Sequence, residues 1–370
     1  MHIDASHDPR IVMTLDAGGT NLKFSAIRAN QILLDPIYLP AAPNDLEACL
    51  DNIIEGFRRV RALLPALPAA ISFAFPGPAD YPAGVVFNEN NLPAFRGGVA
   101  LGPMLEDVFG IPVFLNNDGD LFAYGEAISG FLPEVNRMLA EAGSPKRYAN
   151  LLGITLGTGL GGGIVRNGEL FIGDNSMAGE VWLLRNKLAP DWNAEEGASI
   201  RAVRRVYGEI AGVPFEETPE PKEIFEIGME RAPGHREAAR EAFRRLGEVA
   251  GDAIAQALTL IDGLVVIGGG LAGAAPLFLP ALLGAVNGVF ARDGRPLRRV
   301  VFHAFDFDGP DQREAFLRGE PRELRVPRST RVIRHDALPR TAVGITRLGT
   351  SHAVSLGAYA FALNRLGGNP

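Results

Sequence analysis

A single cysteine, Cys49, in 370 residues leaves no partner for an intrachain disulfide and excludes a cysteine-rich zinc site. Basic charge is not in excess either. The formal net charge of −7 argues against coating nucleic acid, because backbone binding relies on clustered Lys and Arg. It does not exclude a nucleotide, whose phosphates backbone N–H groups can hold without net charge. The opening residues MHIDASHDPR lack an apolar signal region, so a cytoplasmic location is the expectation. Residues 264–291 carry no charge at all, but Gly268-Gly269-Gly270, Pro276, Pro280 and Asn287 interrupt them. A strand, a glycine turn and a short helix are expected there, not a membrane span.

What is present is an ordinary globular composition and enough length for two domains. Residues 11–15 form a β-rich run, Ala17-Gly18-Gly19 turns, and Leu22, Phe24 and Ala26 alternate with polar residues. A helix is expected over 45–64, a buried strand before the Pro-Gly-Pro turn at 76–78, and a helix near 99–109. The strand PVFLNND then leads into a helix beginning near Gly119. The pattern repeats from Tyr148, where YANLLGITLGTGLGGGIVRNGELF again reads strand, glycine turn, strand. A long helix over 233–261, the strand–turn–helix GLVVIGGGLAGA and a final helix in SHAVSLGAYAFALNRL complete the chain. Two similar α/β halves follow. Residues 293–340, rich in Arg and without clean periodicity, read as an insertion carrying a strand or two and exposed loops.

Gly157-x-Gly159-x-x-Gly162, with Glu180 downstream, fits the spacing of a dinucleotide-binding loop. The context does not. That loop must open a helix, whereas IVRNGELF alternates and turns at Asn167-Gly168, which makes it a hairpin. A glycine hairpin still offers backbone N–H groups to an anion, because no Cβ blocks the approach. Gly18-Gly19-Thr20 and Gly157-Thr158-Gly159 together therefore point to a polyphosphate held from two sides. Gly268-Gly269-Gly270 supplies a flat backbone surface for a nucleoside, or else close helix–strand packing.

In this order LDAGGTNLKF, LNNDGD, LGTGLGGGIVRNGELFIG…AGE and LVVIGGGLAGA resemble the ROK-family sugar kinases, within the actin and hexokinase ATPase group. The resemblance runs from about Ile11 to Leu366, leaving out the insertion. It implies two ribonuclease-H-like α/β lobes with a cleft between them. The first would span 1–130, with the C-terminal helix 353–370 returning to it, and the second 131–352, with the insertion at about 293–340. It also implies ATP and Mg²⁺, a sugar in the same cleft, and a homodimer.

Phosphoryl transfer to a hydroxyl needs a positioned base and neutralised phosphate charge. Asp118, where a strand meets a helix, is either a helix cap or, by its match to the family's Asn-Asp motif, the catalytic base; Asp120 is then the cap. Asp16 resembles the family's Mg²⁺-associated aspartate, acting through water. Lys23 either neutralises phosphate or is solvated. Sugars call for bidentate hydrogen-bonding side chains. The resemblance places Asn91 of NENNLP, Asn117, Asp118 and Glu180 around the sugar, with the Gly77 backbone beside it.

Two departures stand out. The family's Gly-Glu-x-Gly-His, whose His contacts sugar and ligates zinc, reads GEVWLL here, with Trp182 and Leu183. The family's cysteine zinc segment is replaced by DWNAEEGASIRAVRRVY, which leaves no zinc site. Its glutamate, a sugar ligand by the resemblance, corresponds to Glu195, with Ser199 four residues on, or alternatively to Glu196. Trp182, Trp192 and the following helix would then have to order the loop.

The leading expectation is an ATP-dependent hexose kinase acting on glucose O6. The alternative is a catalytically silent sugar-binding regulator; only about ten residues precede Ile11, so a DNA-binding domain is not expected. The insertion, with His303 and His335, either lines the nucleotide or a subunit interface or is a solvated excursion.

Overall fold

A computed structural model describes residues 5–18, 20–87 and 93–367, without the side chain of Arg292. The chain divides into two compact units: Met1–Ser129 with Gly168–Ala178 and Leu348–Pro370, and Gly130–Asn167 with Gly179–Arg347.

The first unit is built on a sheet in which Val12–Ala17 is central. It pairs antiparallel with Asn21–Arg28 and parallel with Ala70–Ala74, which in turn lies parallel to Val113–Asn116. Alternation along these strands separates two faces. Met13, Leu15, Phe24, Ile71 and Phe73 pack with Ile53, Phe57 and Val60 of the helix Leu46–Leu63. Val12, Ile27 and Ala70 pack with Leu356, Tyr359 and Leu363 of the helix Thr350–Gly367. The latter helix also lies against Asp118–Ser129. The two helices meet backbone to backbone. A methyl group added at Gly125 would lie 2.0 Å from the Ala353 carbonyl oxygen, and one at Gly357 would lie 2.0 Å from that of Leu121. Tyr359 clips the helix to the sheet, its hydroxyl accepting the Ala29 N–H at 2.9 Å and donating to the Asp8 carbonyl at 3.1 Å.

The second unit repeats the plan. Leu151–Leu156 pairs antiparallel with Leu160–Arg166 and parallel with Leu264–Gly268, followed by Arg340–Ile345 and the edge strand His303–Asp306. Its largest apolar cluster joins Leu152, Ile154, Val265 and Ile267 to the helices Arg236–Ile261 and Ala275–Val286. This helix pair is again closed by glycine: methyl groups at Gly247 and Gly251 would fall 2.2 Å and 2.3 Å from the carbonyl oxygens of Phe278 and Leu282. The uncharged run thus divides into a strand, a turn and a 12-residue helix, and no helix among the described residues is long and apolar enough to cross a membrane.

The Arg-rich region differs from the expected loops. His303–Asp306 belongs to the main sheet, Pro310–Arg318 is a helix, and Val289–Arg292 with Arg295–Arg298 and Pro321–Arg325 with Val332–Asp336 form separate two-stranded ribbons. Such ribbons read poorly in sequence because both faces meet solvent. Every residue of Pro321–Arg325 is exposed, so no apolar alternation marks it.

Candidate active site

In the first unit, the hairpin at the end of the central strand places Asp16 opposite Lys23 in register, and the Gly18 N–H closes the turn onto the Asn21 carbonyl at 3.0 Å. Asp16, Gly18 and Thr20 are exposed and Lys23 is half-buried. Gly19 lies outside the described residues.

Asp118 opens the helix Asp118–Ser129, directly after the strand Val113–Asn116. Its side chain reaches solvent, yet the surrounding protein strips enough water to push its pKa up. Hydrogen bonds from the N–H groups of Gly119 and of Asp118 itself oppose that rise, and the negative charge of Asp16 adds to it. The structure thus brings Asp118 and Asp16 within electrostatic reach of each other. The cap differs from expectation. Asn117 Oδ1 accepts the Gly119 N–H at 2.8 Å, whereas Asp120 is buried within the first turn. Asp120 cannot cap because it already lies inside the helix it was expected to start.

Asn117 Nδ2 donates to the Tyr81 hydroxyl at 3.4 Å, and that hydroxyl donates to the Phe75 carbonyl at 3.1 Å. A methyl group at Gly77 would lie 2.8 Å from the same hydroxyl. Tyr81 therefore links Gly77 to Asn117. Nothing in the sequence marked it, because a tyrosine three residues beyond a Pro-Gly-Pro turn carries no motif. Asn91 lies outside the described residues.

In the second unit, Thr158 is the exposed tip of the hairpin, and the Gly157 N–H bonds the Gly159 carbonyl at 3.0 Å. The surrounding glycines are required by close packing. At Gly159 a methyl group would meet Glu195 Oε2 at 2.4 Å, the oxygen that also accepts the Leu160 N–H at 3.1 Å. At Gly162 it would meet the Gly179 carbonyl at 2.5 Å and the Val181 side chain at 2.7 Å. Glu195 and the segment bearing Glu180 are thereby seated against the same hairpin. Gly157 lies close to Gly270, and Gly269 combines φ +88° with the Leu156 carbonyl 2.2 Å from where its Cβ would be. Gly268 is buried at the end of its strand, whereas Gly270 is exposed. Both readings of the triple glycine thus find a residue: packing at Gly269 and an open backbone at Gly270.

The segment following Glu180 is ordered by aromatic and amide groups. Trp182 Nε1 donates to Glu180 Oε2. The buried Asn186 accepts the N–H groups of Leu188 and Ala189 at 2.9 and 3.1 Å, and Asn193 caps the turn Ala194–Glu196. The Arg205 guanidinium lies 4.7 Å over the Trp192 ring, a cation–π contact that ties the loop to the helix Ile200–Ala211. Among the described residues no group of three His, Cys, Asp or Glu side chains is placed to hold a metal ion.

Two sheets of similar order, each opened by a glycine hairpin, define an α/β protein with a repeated plan. The model of the ROK family matches residues 12–296, and the chain belongs to that family. It is 54% identical to a glucokinase from Parabacteroides distasonis, whose crystal structure superposes with a TM-score of 0.91 over 98% of this chain and 99% of that one. It is 30% identical over 175 residues to the glucokinase of Halalkalibacterium halodurans, covering 45% of this chain and 47% of that protein. It is 27% identical over 274 residues to an N-acetyl-D-glucosamine kinase of Vibrio parahaemolyticus, covering 69% and 83%. The chain spans about half the length of the first curated relatives it matches.

Proposed function

We propose that this chain is an ATP-dependent hexose kinase, with glucose as its first substrate and Asp118 as the general base. The observation that carries the reading is the environment of Asp118. A carboxyl that reaches solvent, is flanked by Asn117, and has its pKa raised by surrounding protein and by Asp16 is a better proton acceptor than an ordinary aspartate. It takes the proton of the sugar hydroxyl as that oxygen attacks the γ-phosphorus. The bond from γ-phosphorus to the β–γ bridging oxygen breaks, and ADP leaves.

The exposed amides around Gly18, Thr158 and Gly270 suit phosphate and nucleoside, and Lys23 adds positive charge beside Asp16. Mg²⁺ fits this set. It is commonly held by one or two carboxylates together with substrate phosphates, so the exposed Asp16 suffices without a three-residue cluster. When bound, the ion would neutralise phosphate charge. By resemblance the Gly77 backbone, Asn91 and Asn117 of the first unit serve the sugar, as does Glu180 of the second. Glu195, expected among the sugar ligands, has one oxygen committed to the Leu160 N–H and so also shapes the phosphate turn. A cytoplasmic homodimer is part of the same proposal.

The names of the relatives support a sugar kinase. A coupled assay of ADP release over glucose, fructose, mannose, N-acetylglucosamine and N-acetylmannosamine tests the reading, with Asp118→Asn beside the native chain. Turnover with at least one hexose, abolished in the variant, is expected. No turnover with any sugar would sink it. One observation favours a silent sugar-binding protein instead: Leu183, exposed to solvent, stands where the family places its sugar-contacting His. Calorimetric sugar binding without ATP affinity would select that reading.

A further inference from the structure

In the reading above Glu180 serves the sugar, which it can do only if its carboxylate is held in place, and the chain shows what holds it. The family's metal-ordered histidine is absent, and Trp182, two residues after Glu180, donates its indole N–H to Glu180 Oε2. The Trp182 ring is half-buried and packs on the apolar core of its own unit, so the donor is fixed before any ligand arrives. Val181, between them, is buried and abuts Gly162 of the glycine hairpin, which fixes the backbone that carries both side chains.

We propose that Trp182 is the positioning and specificity-determining residue for the sugar, acting through Glu180. The inference rests on the kinase reading above and deepens it. An indole N–H is a donor only. By occupying Oε2 it leaves Oε1 for a single hydroxyl, and it prevents the carboxylate from bridging a neighbouring pair. Sugar recognition at this position therefore depends on one hydroxyl and on the fixed direction of one oxygen. Hexoses that present that hydroxyl are accepted, and epimers at that carbon are discriminated against.

The test is steady-state kinetics of the full chain, native and with Trp182→Phe, Glu180→Gln and the double substitution, over glucose and its C2, C3 and C4 epimers. Phenylalanine keeps an aromatic ring on the core but removes the donor. The expected result is a rise of about tenfold or more in the sugar KM of Trp182→Phe, comparable to losing one charge-assisted hydrogen bond. The ATP KM should stay unchanged, and discrimination among the epimers should shrink. If Trp182 acts through Glu180, the two substitutions are not additive: once Glu180 is Gln, Trp182→Phe adds little. A purely structural tryptophan would give additive losses, a shift in ATP KM or an unchanged epimer ratio, and any of these overturns the proposal. Native protein that turns over no sugar overturns the kinase reading itself, whereas active native protein with an unaffected Trp182→Phe variant overturns only this inference.

Discussion

The two glycine hairpins have the same strand–turn–strand form and opposite constraints. In the first unit, among the described residues, Gly18 meets only the Asn21 carbonyl that closes its own turn, and Asp16, Thr20 and Asn21 are exposed. In the second, Gly159, Gly161 and Gly162 are hemmed in by Glu195, Thr155, the Gly179 carbonyl and the Val181 side chain. The first hairpin is an open edge beside Asp16 and Asp118. The second is a packed joint that seats other segments. Glycine in these hairpins thus sits either in open surroundings or against neighbouring protein, and substitution can tell the two apart.

The largest effect should come from the open side. Asp118→Asn is expected to lower kcat by roughly 10²–10⁴-fold while leaving the fold intact, measured by the coupled assay and by thermal unfolding. Its stability should move in a pH-dependent way. A carboxyl whose pKa is raised in the folded state binds protons more readily there than when unfolded, so ionising it costs stability above the folded pKa. That cost fades as pH falls through the folded pKa towards the ordinary aspartate value. The variant should therefore equal or exceed the native chain at neutral pH, with the gap closing in acid. A variant less stable at neutral pH would show that Asp118 is structural.

On the packed side, stability should suffer first. Gly269→Ala must place a side chain at φ +88° and against the Leu156 carbonyl, and should cost about 3 kcal/mol or more in urea unfolding. Glu195→Gln weakens the acceptor of the Leu160 N–H and should cost about 1–2 kcal/mol, with ATP KM rising alongside. The smallest change sharpens the contrast most. Gly270→Ala meets open space, so stability should stay within about 0.5 kcal/mol of native. If the Gly270 backbone faces the nucleoside, ATP KM should rise all the same. An unchanged KM would assign the whole triple glycine to packing.

Much of this organisation was legible in the sequence. The alternation of Leu22, Phe24 and Ala26, and the repeat of the pattern from Tyr148, announce two hairpin-led sheets because burial of one face imposes period two. The helix near 45–64 and the uncharged run as strand, turn and helix are equally local. Other features were not legible. Tyr81 gains its meaning from Gly77 and Asn117, far apart in the chain, and the strand His303–Asp306 becomes part of a sheet only by pairing with Arg340–Ile345. Glu195 reads as a ligand by motif, and its bond to the Leu160 N–H appears only when the hairpin is folded against it.

By itself the sequence determined what short-range physics controls: where strands alternate, where glycine permits a turn, where a carboxylate starts a helix, and that Cys49 has no partner. The tertiary structure decided which glycines are crowded and which are open, that Asn117 caps the helix, and that Trp182 rather than a histidine faces Glu180. The crowding of the glycines depends on which distant backbone comes within a few ångströms, which no local pattern encodes. The other two are contacts between residues two apart, whose direction is set only once the segments around them are packed.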